Sequence, residues 1–144
     1  MSETWLKLIG TSKKRAPERY RKPYADFSNN HRPRDVHRGD RLVLYGAGGS
    51  KRVFALAEVT SEVYDITDGT PDNSERETYP YRVDIEYTAW VPVSEGVHVD
   101  EITTPQRNLP KAIRRSYLRL KPKEFDLAEG KLKAAEQRYK AGRE

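Results

Sequence analysis

At 144 residues, read as one domain over 1–144, the chain can bury about two thirds of its unfolded surface around a single core. Apolar residues are 35% and charged residues 34%, so the core is lean, while two Trp, nine Tyr and three Phe argue against a disordered chain. With no cysteine, disulfides, thiolate zinc sites and thiol nucleophiles are excluded; no apolar run approaches a membrane span and Met1–Gly10 lacks a signal-peptide pattern, so a soluble, cytoplasmic protein is expected.

In chain order, Thr4-Trp5-Leu6-Lys7-Leu8-Ile9 reads as an opening strand closed by Gly10. Residues 11–38 carry no sustained period and are rich in Pro, Arg, Lys, Asn and Tyr, the pattern of a disordered or working loop. Tyr20, Tyr24 and Phe27 interleave there with cations, a mixture that lets bases stack on rings while phosphates are held; the alternative is that these rings pack down as a lid. A hairpin follows: Leu42–Tyr45, a turn over Gly46-Ala47-Gly48-Gly49-Ser50, and a return strand from Val53 to Val63. Val53 to Ala57 is apolar on both parities, which suits a strand covered on both faces.

Asp65 to Thr78 is an acidic loop, expected to be solvated: an EF-hand wants an oxygen ligand two residues after its first Asp, where Thr67 stands, and Gly69 comes one residue early. Residues 81–91 alternate as a half-buried strand, with Trp90 on the polar parity, either capping a barrel end or lining a ligand site. Val97–Asp100 is a short strand or turn, and residues 109–120 a short helical turn followed by a closing strand. Beyond Pro122, Phe125, Ala128, Leu132, Ala135 and Tyr139 recur at helical steps, predicting a terminal helix over about 123–141.

The net charge of +5 hides a segregation. Cations crowd Lys13–Arg41 and again Arg107–Lys123, where no acid occurs, while acids dominate from Glu58 to Glu101. Converging basic segments would meet a polyanion; the other arrangement pairs basic with acidic segments on a solvated surface. Catalytic patterns are absent: His31, His37 and His98 lack metal-pair spacing, no Gly-x-Ser-x-Gly elbow occurs, and the glycine-rich turn precedes a strand instead of a phosphate-binding helix. No cofactor and no metal are expected.

The stretch Gly39-Asp40-Arg41-Leu42-Val43-Leu44-Tyr45, the glycine turn, Val53–Val59 ending in Tyr64-Asp65, the strand ending at Trp90-Val91-Pro92 and the late Ile113–Leu120 segment together resemble the EVE domain of the PUA-like superfamily, from Thr4 to about Lys133. The resemblance implies an α+β fold: a PUA-like pseudo-barrel of five or six mostly antiparallel strands, with a few short helices and a C-terminal helix. It also implies a non-catalytic module that holds a flipped, modified base of DNA or RNA in an aromatic-lined pocket. By position, Ser12, Tyr20, Tyr24, Tyr64, Asp65, Trp90, Ser116 and Tyr117 would line that pocket, and Lys13, Lys14, Arg15, Arg19, Arg21, Lys22, Arg114, Arg115 and Arg119 would hold the backbone. The expected partners are a modified nucleic acid and a nuclease or modification-dependent restriction system acting with a monomer. The chain departs from typical EVE sequences in carrying tyrosine and arginine where those have a tryptophan-rich loop. Two other readings remain: a hydrolase like the related ASCH domains, whose paired motifs are echoed loosely by Gly10, Lys13, Glu18 and Arg19, and a protein-interaction adaptor with its rings in an open groove.

Overall fold

The hairpin expected at the centre of the chain is the middle of the sheet. The computed structural model describes residues 3–10, 15–27, 35–47, 51–66, 81–102 and 117–142. Among these, eight strands occur: β1 (Thr4–Ile9), β2 (Tyr24–Phe27), β3 (Arg41–Gly46), β4 (Arg52–Val59), β5 (Tyr64–Asp65), β6 (Tyr81–Trp90), β7 (Val97–His98) and β8 (Tyr117–Arg119). Two 3-10 turns, Val93–Glu95 and Val99–Ile102, flank β7, and helix α1 (Pro122–Ala141) closes the described chain. The main path runs β2-β6-β4-β3-β1-β8, with β5 added to β6 and β7 to β4. Six strands in the path agree with the expected five or six; all pairings are antiparallel except β1 with β3.

The sheet curls until its ends meet. Phe27 of β2 and Tyr117 of β8 stand at opposite ends of the strand order, yet their rings are 5.3 Å apart, edge to face. Curling divides the apolar residues into two cores. Trp5, Phe27, Leu42, Leu44, Phe54 and Val83 fill the barrel interior, while Leu6, Val43, Leu56 and Ala89 face outward against Phe125, Ala128 and Leu132 of α1. That is why β4 is apolar on both parities: one face looks into the barrel and the other lies under the helix, each fully buried Leu, Val or Phe contributing about 1.5–3 kcal/mol. The helix presents the face that its spacing predicts. It begins with Pro122 at its first turn, where the missing N–H costs nothing, and Glu124 Oε1 accepts the Lys121 amide at 2.7 Å.

Two bulges interrupt the ladders. Leu44 pairs Ala55 and Tyr45 pairs Val53, leaving Phe54 as the extra residue; Leu56 pairs Ala89 and Ala57 pairs Tyr87, leaving Thr88 extra. The second bulge inverts the parity of β6 beyond it, so Trp90 joins Val83 and Ile85 on the interior side and Ala89 turns to the helix.

One expectation needs correcting. The segment 11–38, read as a loop, contains β2. Pro23 holds its neighbour Lys22 out of helical geometry, Ala25 and Phe27 point inward while Tyr24 and Asp26 point outward, and β6 supplies the ladder partners. A strand of four residues, preceded by cations and paired more than fifty positions away, leaves too short a period to read. The closing strand Tyr117–Arg119 lies where expected, whereas the acidic loop beyond Ile66 and the helical turn before Tyr117 fall outside the described residues. No helix among the described residues is long and apolar enough to cross a membrane.

Candidate nucleic-acid interface

The basic segment 15–23 is strapped across one end of the barrel by hydrogen bonds to its backbone. The Val93 amide donates to Glu18 O at 2.8 Å, the Trp90 indole to Tyr20 O at 2.7 Å, the Tyr87 hydroxyl to Lys22 O at 2.8 Å and the Ile85 amide to Pro23 O at 3.0 Å. Buried or half-buried donors of β6 and the turn after it are thereby satisfied by the strap, so its path is fixed by backbone pairing despite its polar sequence. On it, Arg15, Arg19 and Arg21 are exposed. The Arg21 guanidinium lies 5.0 Å from the centre of the Trp90 ring and 5.8 Å from that of Tyr87, and Arg19 Nη1 donates to the Tyr139 hydroxyl at 3.4 Å. Trp90 and Tyr139 meet edge to face at 6.2 Å. Tyr20 is half-buried, its ring against Phe54 and its hydroxyl donating to Tyr24 O at 3.3 Å. Burial pushes the Tyr20 hydroxyl well above the ordinary phenol range and lifts that of Tyr87 to about 12.

On the outer face of the sheet, away from the helix, a second group crosses three strands. Arg82 of β6 makes a forked pair with Asp26 of β2, Nε to Oδ1 at 2.6 Å and the second nitrogen to Oδ2 at 3.3 Å, and its guanidinium covers the Tyr24 ring at 3.5 Å. On the other side the Tyr64 hydroxyl donates to Asp84 Oδ1 at 2.7 Å, and burial together with that bond raises its pKa to about 12. Asp65 pairs with Tyr81 through the backbone ladder and is exposed.

The third group sits at the seam where the sheet ends meet. Trp5 packs edge to face on Tyr117 at 5.5 Å, and Tyr117 on Phe27. The Trp5 indole donates to Asp40 Oδ2 at 3.0 Å; the same buried carboxylate accepts the amides of Glu3 and His37, both at 2.9 Å, tying the start of β1 to the turn before β3. Between these rings lies Lys7, only 3% exposed, on the same parity of β1 as Trp5 and Ile9. Its ammonium donates to Leu8 O at 2.8 Å and stands 5.1 Å from the Phe27 ring centre. Burial lowers its pKa to about 8, with the Asp26 carboxylate pulling weakly the other way.

The structure therefore divides the sequence candidates. Tyr20 and Trp90 are joined at the strapped end, Tyr117 lies at the seam on the interior side, and Tyr24, Tyr64 and Asp65 belong to the outer face or its edge. Of the backbone candidates, Arg15, Arg19, Arg21 and Lys22 share the strap, and Arg119 lies over the Trp5 ring at 5.1 Å, near Glu3. Ser12, Lys13, Lys14, Arg114, Arg115 and Ser116 lie outside the described residues. Of the ASCH-like set, Gly10 takes a positive φ of 87° at the end of β1, while Glu18 is engaged as a turn cap, accepting the Ser94 amide at 2.6 Å, and Arg19 reaches Tyr139. Among the described residues no cluster of three or more His or acidic side chains could hold a metal ion. Sequence reasoning misses Lys7 and the Asp26–Arg82 pair. A cation on the apolar parity of a buried strand is the available signal for Lys7; the pair joins residues too distant for any local signal.

A family model described as the EVE domain matches residues 18–130. An NMR structure of a Rhodopseudomonas palustris protein is 18% identical with a TM-score of 0.56, over 92% of this chain and 94% of its own. A crystal structure of an Agrobacterium tumefaciens protein is 16% identical with a TM-score of 0.57, over 90% and 92%. An ASCH protein from Zymomonas mobilis is 11% identical with a TM-score of 0.53, over 86% and 92%. Identities this low carry the fold alone. No curated protein sequence matches the chain.

Proposed function

Because the chain belongs to the EVE domain family of PUA-like fold, we propose that it is a non-catalytic nucleic-acid-binding module that takes up one flipped, modified base and holds the flanking backbone with its basic strap. The observation that carries this reading is the strap itself: backbone bonds at Glu18, Tyr20, Lys22 and Pro23 fix its path, exposed Arg21 lies beside the Trp90 and Tyr87 rings, and exposed Arg15 and Arg19 stand on the same segment. Fixed cations beside aromatic surfaces are what a single-stranded or locally unpaired nucleic acid needs, guanidinium groups for phosphates and rings for bases. Lys13, Lys14, Arg114, Arg115 and Arg119 would extend the grip on phosphates. Tyr117 would line the base site at the seam, with Ser12 and Ser116 as hydrogen-bonding groups, while Trp90 and Tyr20 at the strapped end would stack on a flanking nucleotide, each stacked ring supplying on the order of 1–3 kcal/mol. Tyr24, Tyr64 and Asp65, on the outer face, would meet a neighbouring nucleotide. A modified base with weakened pairing costs less to extrude, which favours it over its parent. A nuclease or restriction partner would then act on the captured strand.

The test is binding to matched modified and unmodified oligonucleotides across a salt series. Arg15→Glu with Arg19→Glu should weaken binding of every oligonucleotide and flatten the salt dependence, by about 0.7–0.9 in logarithmic slope for each phosphate no longer neutralised. Unchanged slopes would remove the polyanion argument. Hydrolysis of RNA or acylated nucleosides that vanishes in Lys13→Ala would instead support the ASCH-like reading.

A further inference from the structure

We infer that Lys7 is a specificity-determining residue at the seam of the barrel, reading a carbonyl oxygen on the bound base and so disfavouring adenine and its N6-modified forms. The inference rests on the base-binding reading above and adds to it the chemical class of base.

An ammonium carries three N–H donors and no acceptor. Lys7 is buried to 3% exposure, and the protein gives it one hydrogen-bond acceptor, Leu8 O at 2.8 Å, together with the face of Phe27 at 5.1 Å. A buried cation is normally paired or fully hydrogen-bonded, because removing it from water is expensive. Here the nearest carboxylate, Asp26, is already engaged in the forked pair with Arg82. Two donors therefore remain for an acceptor that the described protein groups do not supply. They sit beside the edge-to-face rings of Trp5, Tyr117 and Phe27, a surface on which a planar ring can pack. Tyr117, half-buried, is the most accessible of these rings and marks the side from which a base would enter.

Guanine, cytosine, thymine and uracil all present a carbonyl oxygen, and adenine presents none. An ammonium set against the exocyclic position meets a carbonyl oxygen on those bases, whereas adenine places its N6 amino donor there and has only ring nitrogens as acceptors, so the buried cation is paired less well by adenine. Among the described residues the charged group that acts on Lys7 is Asp26 from β2, itself paired with Arg82 of β6, and Tyr117 of β8 stands opposite Lys7 in the ladder.

The experiment uses the whole chain with labelled DNA and RNA oligonucleotides that differ only at one central position: guanine, thymine or uracil, adenine, or an abasic site. The carbonyl-bearing bases should bind at least about tenfold tighter than adenine, and Lys7→Met should abolish that preference. With the wild-type protein, the preference should shrink as pH rises from 6.5 to 9, as the ammonium loses its proton. Equal binding of adenine overturns the inference, as does a folded Lys7→Met variant that keeps the preference. Should Lys7→Met fail to fold, a wild-type preference flat across that pH range overturns it. If no oligonucleotide binds at all, the base-binding reading fails and this inference with it; adenine binding as well as the others sinks the inference alone.

Discussion

A buried ammonium has a signature in stability that needs no ligand. The Lys7 pKa falls from its ordinary 10.5 to about 8 because burial penalises the charged form. Below pH 8 the group is charged in both the folded and unfolded chain, and folding bears the whole penalty, about 3 kcal/mol at 1.36 kcal/mol per pKa unit. Between pH 8 and 10.5 the unfolded chain binds the extra proton, so stability rises with pH through that window, and above it the penalty is gone. From pH 7 to pH 9.5 the expected gain is about 2 kcal/mol. Tyr20, Tyr64 and Tyr87 act in the opposite sense, since their raised pKa values favour the folded state below pH 10 and lose that advantage above it. The measurement therefore stops at pH 9.5. Urea unfolding at several pH values would read the rise, and Lys7→Met, which keeps the chain length without the charge, should unfold with a higher midpoint at pH 7 and show no rise. A flat wild-type profile, or a methionine variant less stable than the parent, would refute the argument that Lys7 is an uncompensated buried cation.

Breaking the Asp26–Arg82 pair should be costly, with both side chains under one fifth exposed. Asp26→Ala should lose on the order of 2–3 kcal/mol in chemical unfolding, while Asp26→Leu combined with Arg82→Met should recover most of it; additive losses would mean that the two groups are not coupled. The His37–Glu62 pair, at 2.9 Å on the exposed turn before β3, raises the His37 pKa chiefly through its hydrogen bond and lowers that of Glu62. Its contribution should be present when Glu62 is ionised and His37 protonated, fading as pH rises through the histidine value or falls through the carboxylate value. An NMR titration should find His37 above its ordinary 6.5, and Glu62→Gln should bring it back; an unchanged titration would discard the pairing.

How far the sequence is legible follows from the range of each signal. The central hairpin, the opening strand and the helix face at Phe125, Ala128, Leu132 and Ala135 can be read because each signal lies within a few residues: an apolar run, a glycine turn, a three-four step. Alternation along β6 puts Trp90 on the polar parity because it cannot foresee the extra residue at Thr88, which exists only in the pairing with β4. Strand β2 escapes for a similar reason: the ladder that makes Tyr24–Phe27 a strand is on β6. Family position gathers the candidate tyrosines, and position along a chain does not tell which face of a sheet a side chain takes; a one-residue difference in parity separates Tyr24 from the interior that Ala25 and Phe27 share.

The same geometry says where a planar ligand would disturb the fold least. Each neighbouring pair along the path from β2 to β8 is held by a backbone ladder, and wedging a ring between two such strands would strip paired N–H and C=O groups. Between β2 and β8 themselves no ladder runs among the described residues; Phe27 and Tyr117 meet there edge to face. Exchanging that ring pair for one with an entering base gives up about 0.5–1.5 kcal/mol and regains a comparable amount. The strapped end with Trp90 offers rings too, but its indole N–H and the Tyr87 hydroxyl are already committed to Tyr20 O and Lys22 O, so a base bound there would stack without being read. At the seam, stacking surface and spare donors coincide on Lys7, and on that coincidence rests the proposed reading of the base at the seam, with the strap as the proposed backbone clamp.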